Sequence, residues 1–177
     1  MTIKDIVNRM IKIAGLEGDV NPDVPSAKLE KLIDCVNLIY AELTLQYVHL
    51  RTKENIDFVN GRAYYSAFTR KVREIISVRK EGSKIPFIMY PLFVSADIEG
   101  KAEVTYIYHF GTLALNDAVE LPPQYSEYVV AVGSISEYFY RLGLIEEAAF
   151  YKNRYETAVT NLSKRLKPLS LPTRTFR

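Results

Sequence analysis

The sequence has no tryptophan, a single cysteine and only two histidines among its 177 residues. One cysteine, Cys35, excludes an intramolecular disulfide and fits a reducing compartment. It reads as a small apolar residue on a helix face, since no metal-ligand cluster accompanies it. His49 and His109 lie far apart and neither belongs to a metal-type spacing; His109 reads as a structural histidine on a strand. No apolar run reaches the roughly 18 residues of a membrane span. The opening "MTIKDIVNRMIKIAG" lacks a basic n-region, a long apolar stretch and a small-residue cleavage site, so no signal peptide is expected. Charge of neither sign dominates: the net value is +2. That argues against a strongly basic nucleic-acid binder.

Catalytic signatures are missing too. There is no GxSxG, P-loop or GxGxxG. Gly15 and Gly18 in "AGLEGD" follow no strand and precede no lysine, so they make no phosphate cradle. Glu146 and Glu147 fall in the first turn of an expected helix, where the dipole favours acids without catalysis. Asp97 and Glu99 flank a turn. The expectation is a protein that is not an enzyme, with no cofactor and no metal.

What is present is patterned apolar and aromatic residues, including thirteen tyrosines. Tyrosine suits ordinary cores and also half-wet interfaces. Thr2 and Asp5 make a helix start, and Ile3, Ile6, Val7, Met10 and Ile11 recur at helical spacing up to Gly15. After a proline-bearing loop, Ser26 can cap a second helix striped by Leu29, Leu32, Ile33, Val36, Ile39, Tyr40 and Leu43, running to about Tyr47. From about residue 50 to 110 the period changes to that of strands. Asn60-Gly61, Glu81-Gly82-Ser83 and Glu99-Gly100-Lys101 predict three hairpin turns. Pro86 and Pro91 make the return strand between them short or an edge. In "VTYIYHF", Val104, Tyr106, Tyr108 and Phe110 share one face and Ile107 and His109 the other.

Pro122-Pro123 then opens a third helix. Tyr125, Tyr128, Val129, Val132, Ile135, Phe139 and Leu142 form one broad stripe. Ala131, Ser134 and Tyr138 form a second face, with Arg141 at its end. Gly133 costs a helix interior about 1 kcal/mol against alanine, which points to a close neighbour. A helix apolar on two flanks is expected to be buried twice, once by its own domain and once by a neighbouring subunit, with Gly133, Ser134, Tyr138 and Arg141 at that contact. A last helix begins near Ile145, striped by Ala148, Tyr151, Tyr155, Ala158, Val159 and Leu162. Residues 166–177 carry prolines, bases and no acids, with Leu166, Leu169, Leu171 and Phe176 among them. This segment reads as a frayed end or as an arm that orders on a partner.

The fold expected is therefore α+β and mainly helical, with four main helices, a small antiparallel β-hairpin region between the second and third, and an extended C-terminal arm. One domain is expected over 1–165, with helices within 1–48 and 124–165 and the β region at 50–110. The arm follows at 166–177. Arg70, Lys71, Arg73, Arg79 and Lys80 in "FTRKVREIISVRK" offer an alternative function, nucleic-acid binding by basic hairpins. The strand alternation instead puts Arg73 and the charged turn on a solvent face.

This order of elements resembles the bacteriophage head-to-tail adaptor proteins, also called connector or head-completion ring proteins, and those of short-tailed phages most. The resemblance rests on the paired N-terminal helices, the strand "VTYIYHF" and a loop holding Asp117. It continues through Leu121-Pro122 leading into "ELPPQYSEYVVAVGSISEYFYRLG" with Gly133 inside the helix, and the closing "EEAAFYKNRYETAVTNL". The doubled proline and the run "IPFIMYPLF" depart from the family pattern and leave the β topology open. The resemblance implies a non-enzymatic virion protein at the head–tail junction, made in the host cytoplasm. Such proteins form a homo-oligomeric ring, usually twelve-fold, under the capsid portal. The ring extends the DNA channel, with DNA passing without sequence-specific binding and no membrane involved, and it receives downstream tail or ring proteins. The segment from Leu166 to Arg177 would then be the portal-binding arm, with Leu166, Leu169, Leu171 and Phe176 filling pockets and Arg174 and Arg177 meeting acidic portal surface.

Overall fold

Thr2 opens the first helix with a reciprocal cap. Its backbone N–H donates to Asp5 Oδ2 at 2.7 Å, and the Asp5 N–H donates to Thr2 Oγ1 at 3.2 Å. Two amides that a helix start leaves unpaired are thereby satisfied. Helix α1 runs Ile3–Ala14 and ends on Gly15 in the left-handed conformation, φ 66°. The computed structural model describes residues 1–165. The expected arm residues Leu166, Leu169, Leu171, Arg174, Phe176 and Arg177 lie outside the described residues.

The chain divides into two compact units. One holds Met1–Leu43 together with the described residues from Leu113 onward, and the other is Thr44–Thr112. The first unit is helical. Ser26 Oγ accepts from the Leu29 N–H at 3.2 Å and starts α2, Ala27–Gln46. Helices α3, Glu127–Arg141, and α4, Ile145–Arg165, complete it. The predicted stripes of α1 and α2 are buried, except Ile33, which is half-buried. The loop before α3 is tied to the first two helices. Ile3 and Lys4 donate backbone bonds to the carbonyls of Asp117 and Leu115. Asn37 on α2 exchanges two bonds with Leu113, its amide donating to the carbonyl at 3.0 Å and its oxygen accepting from the N–H at 2.9 Å. Asp117 serves its own loop, its Oδ2 accepting from the Ala114 N–H at 2.7 Å.

The second unit corrects the fold expectation. The strands are β1 (Arg51–Phe58), β2 (Arg62–Tyr64), β3 (Val72–Lys80), β4 (Ser83–Ile85), β5 (Phe87–Met89), β6 (Phe93–Ala96) and β7 (Gly100–Tyr108). They form two antiparallel sheets, ordered β1-β7-β3-β4 and β2-β6-β5. Among the described residues, four helices and seven strands, with 26% strand against 42% helix, are not a mainly helical protein with a small hairpin insert. The order of two helices, strands, two helices does hold.

Two of the three expected turns form, and most of the strand partners differ from those expected. Asn60 and Gly61 take positive φ of 52° and 71°, and Val59 and Arg62 exchange both backbone bonds across them. Beyond that one bridge the strands part: β1 pairs with β7, and β2 pairs with β6. Gly61 is required there for a second reason, because a Cβ would lie 2.9 Å from the Ala96 carbonyl oxygen. Glu81 and Gly82, φ 50° and 82°, do close a true hairpin between β3 and β4. Pro86, with no N–H to give a ladder, falls between β4 and β5, which belong to different sheets, each at its edge. The third predicted hairpin does not form: β6 and β7 are consecutive but lie in separate sheets. The predicted faces of β7 are half right. Val104, Tyr106 and Tyr108 are buried, but so is Ile107, while His109 lies just past the strand and is exposed.

Candidate assembly surfaces

Helix α3 is apolar nearly all round, and the described chain itself buries its middle all round. Every residue from Val129 to Ser136 is buried, as is Tyr138. The small residues make this possible. A Cβ placed on Gly133 would stand 2.8 Å from Tyr155 Cδ2 on α4 and 3.1 Å from Ile39 Cγ2 on α2. The buried hydroxyls are satisfied: Ser134 Oγ donates to the Val130 carbonyl at 2.8 Å, and Ser136 Oγ to the Ala148 carbonyl at 3.0 Å. Of the four residues expected at a subunit contact, Gly133, Ser134 and Tyr138 therefore already have their neighbours within the first unit. With Ser134 at 0% and Tyr138 at 4% exposure, neither offers surface to another copy. Arg141 alone is exposed.

The basic cluster is divided in the same way. Arg73 is not on a solvent face. Its guanidinium donates to the carbonyls of Thr44 and Leu45 at the end of α2, at 3.2 Å each. The reason is a break in β3, whose pairing to β7 slips between Val72 and Glu74 and again between Ile75 and Ser77. An extra residue in a strand re-aims side chains, and a helix C-terminus favours a cation. Arg70 lies 4.3 Å over the Tyr108 ring, and Lys80 donates to the Glu99 carbonyl at 2.8 Å. Lys71 and Arg79 are exposed. Three of the five expected phosphate partners thus have protein partners.

Cys35 is fully buried on α2, and burial pushes its thiol up from 9.0 to about 11. A thiol reagent should therefore leave folded protein unlabelled near neutral pH and react fully in denaturant. Fast labelling without denaturant would contradict this packing. The same shift predicts a pH effect. Between about 9 and 11 the unfolded chain loses the thiol proton while the folded one keeps it, so stability present below pH 9 declines through that window. Cys35→Ala should flatten that part of the urea-midpoint profile.

Among the described residues no group of three or more His, Cys, Asp or Glu is placed to hold a metal ion. No described helix is long and apolar enough to cross a membrane. What stands out is two exposed apolar patches. In the first unit, Tyr140, Leu142, Leu144, Ile145 and Phe150 surround the turn from α3 into α4, with Tyr140 64% and Phe150 57% exposed. Phe150 continues into a groove of about 400 Å³ shared with Tyr128, Asn153, Arg154, Thr157 and Ala158. There the Arg154 guanidinium lies 5.7 Å from the Tyr128 ring and 5.5 Å from the Phe150 ring, and it donates to the Tyr128 hydroxyl.

In the second unit, the β5–β6 hairpin exposes Ile88, Met89, Tyr90 and Leu92 beside Tyr64, with Leu92 at 71% and Ile88 at 62%. Phe93 organises it, stacked on Tyr90 at 4.8 Å, near Tyr64 at 5.7 Å and under Arg62 at 5.0 Å. The sequence reading missed both patches. Their signals were present: the run "IPFIMYPLF" had no place in the family pattern, and "LGLI" at residues 142–145 puts three apolar residues in a turn.

No protein-family model matches the chain, and no curated protein matches its sequence.

Proposed function

We propose that this chain is a structural virion protein that forms an oligomeric ring joining the capsid portal to the tail and extending the DNA channel. The two exposed apolar patches carry the reading. Contiguous large apolar side chains in water mark surfaces that meet other proteins. The order of elements that resembles the head-to-tail adaptors supports it as well. Its partners are the portal protein, neighbouring copies of the same chain and the tail proteins below. The isolated chain stays monomeric when dilute and joins the ring on meeting its portal.

The segment from Leu166 to Arg177 serves as the portal-binding arm. Prolines lower the entropy lost when such a segment orders, and its composition combines apolar anchors with positive charge. A truncation ending at Arg165 should keep the full chain's far-ultraviolet dichroism and urea midpoint and lose co-sedimentation with the portal. Undiminished co-sedimentation of the truncated protein would remove the arm from the account. A ring through which DNA merely passes has little affinity for free duplex. Tight binding that weakens steeply with salt would favour the basic-hairpin alternative instead.

A further inference from the structure

Three of the four residues expected to meet a neighbouring copy are buried, and the exposed apolar side chains lie elsewhere. We infer that copies of this chain join head to tail, the β5–β6 hairpin tip of one copy seating on the α3–α4 turn of the next. This rests on the ring reading and assigns its subunit contact.

Charge selects the pairing. The α3–α4 patch is bordered by three acids, Glu137 on α3 and exposed Glu146 and Glu147 in the first turn of α4, against two bases, Arg141 and the Arg154 held over Phe150. The hairpin has no charged residue anywhere from Phe87 to Ala96, and the cation on it is Arg62, held against Phe93. Placing either patch on its own counterpart would set Glu146 and Glu147 against the same pair, or Arg62 against Arg62. Placing one patch on the other sets Arg62 against the acids and covers both apolar faces. Like charges brought together at a contact select against it. The contact is also heterologous, so it repeats from copy to copy and can close a ring with no patch left in water. A twofold dimer through either patch leaves the other exposed. The hairpin is the stretch that departs from the adaptor pattern, so this contact belongs to this chain rather than to the resemblance.

The test is disulfide trapping in the full chain. Leu92→Cys and Phe150→Cys are made separately, each at an exposed position where folding is undisturbed, and mixed under mild oxidant. Cys35 is buried and does not compete. The Leu92→Cys/Phe150→Cys heterodimer should dominate over both homodimers, and a charge placed beside the trap (Ile88→Glu in the Leu92→Cys chain) should suppress that cross-link. The double variant should give a ladder of oligomers. Homodimers alone, or cross-linking no greater than between two Asn8→Cys chains, would overturn the inference. The two proposals fail separately. A ladder from a chain that never binds portal would keep the contact and end the portal reading. Portal rings that assemble unchanged from Leu92→Glu/Phe150→Glu protein would end the contact and keep the reading.

Discussion

Gly133→Leu should prevent the helical unit from folding, and Gly133→Ala should cost stability even though alanine is the better helix former. Alanine restores about 1 kcal/mol of helix propensity. Its Cβ, however, would fall 2.8 and 3.0 Å from Tyr155 Cδ2 and Cε2 and 3.1 Å from Ile39 Cγ2. The Tyr155 ring cannot swing aside cheaply, because its hydroxyl donates to Glu42 Oε1 at 3.1 Å and its body is buried. Overpacking of this kind costs about 1–3 kcal/mol, so the net loss for alanine is about 1 kcal/mol. Leucine adds three more heavy atoms to a space that has none, and the cost rises to a large part of a typical domain's 5–15 kcal/mol. Urea titration with tyrosine fluorescence reads both variants. Shrinking the neighbour, in Gly133→Ala with Tyr155→Leu, should show positive coupling between the sites. A Gly133→Ala protein more stable than the wild type would mean that α4 does not approach α3 at this point.

Tyr106→Ala should do comparable damage to the β unit. Tyr106 is fully buried on β7, the strand flanked by β1 and β3. Its ring meets Phe68 edge to face at 5.0 Å. Its hydroxyl donates to Glu54 Oε1, and Glu54 Oε2 accepts from the Thr69 N–H at 3.0 Å. Truncating a buried aromatic to alanine costs about 3–5 kcal/mol. Tyr106→Phe removes only the hydroxyl and its bond, about 1 kcal/mol. The two variants therefore separate ring packing from the hydrogen bond. A pH profile gives a third reading. Burial, and then the bond to Glu54, push the Tyr106 hydroxyl up to about 12 from 10.0. Between those values the unfolded chain has lost the phenolic proton and the folded chain retains it. Stability fully present below pH 10 therefore declines towards pH 12, and the decline should be shallower in Tyr106→Phe. Equal alkaline profiles for the two proteins would contradict the buried, protonated hydroxyl.

Local chemistry was legible in the sequence, and the identity of neighbours was not. Thr2 with Asp5, Ser26 and Gly15 set helix ends through bonds and dihedrals confined to a few residues, and all three stand where their types require. Asn60-Gly61 and Glu81-Gly82 likewise announce reversals through positive φ. A two-residue period says which side of a strand is apolar but not which strand lies beside it. So β2 and β6 were assigned to hairpins with β1 and β7, while the chain pairs them with each other. The slips in β3 are invisible to alternation, and they turn Arg73 from solvent onto the end of α2. The two apolar flanks of α3 were read as buried, one by its own domain and one by a neighbouring subunit, and the chain itself covers both. Nothing in a periodic stripe distinguishes a helix of the same chain from one of a neighbour, and Tyr155 and Ile39 supply the cover that a second copy was expected to give. The exposed patches escaped notice because exposure is a tertiary property: Phe150 and Tyr155 are both aromatic residues on α4, and only the packing leaves one in water and buries the other.

The most direct test of the ring is the mass of the complex formed when the full chain is mixed with its matching portal, measured by native mass spectrometry or mass photometry. The ring account predicts a single discrete species in which many copies, twelve by resemblance to the adaptors, add to one portal assembly. Its population should grow without partly filled intermediates as the chain is titrated. A portal whose mass is unchanged, or one that takes up chains singly without completing a ring, would contradict it.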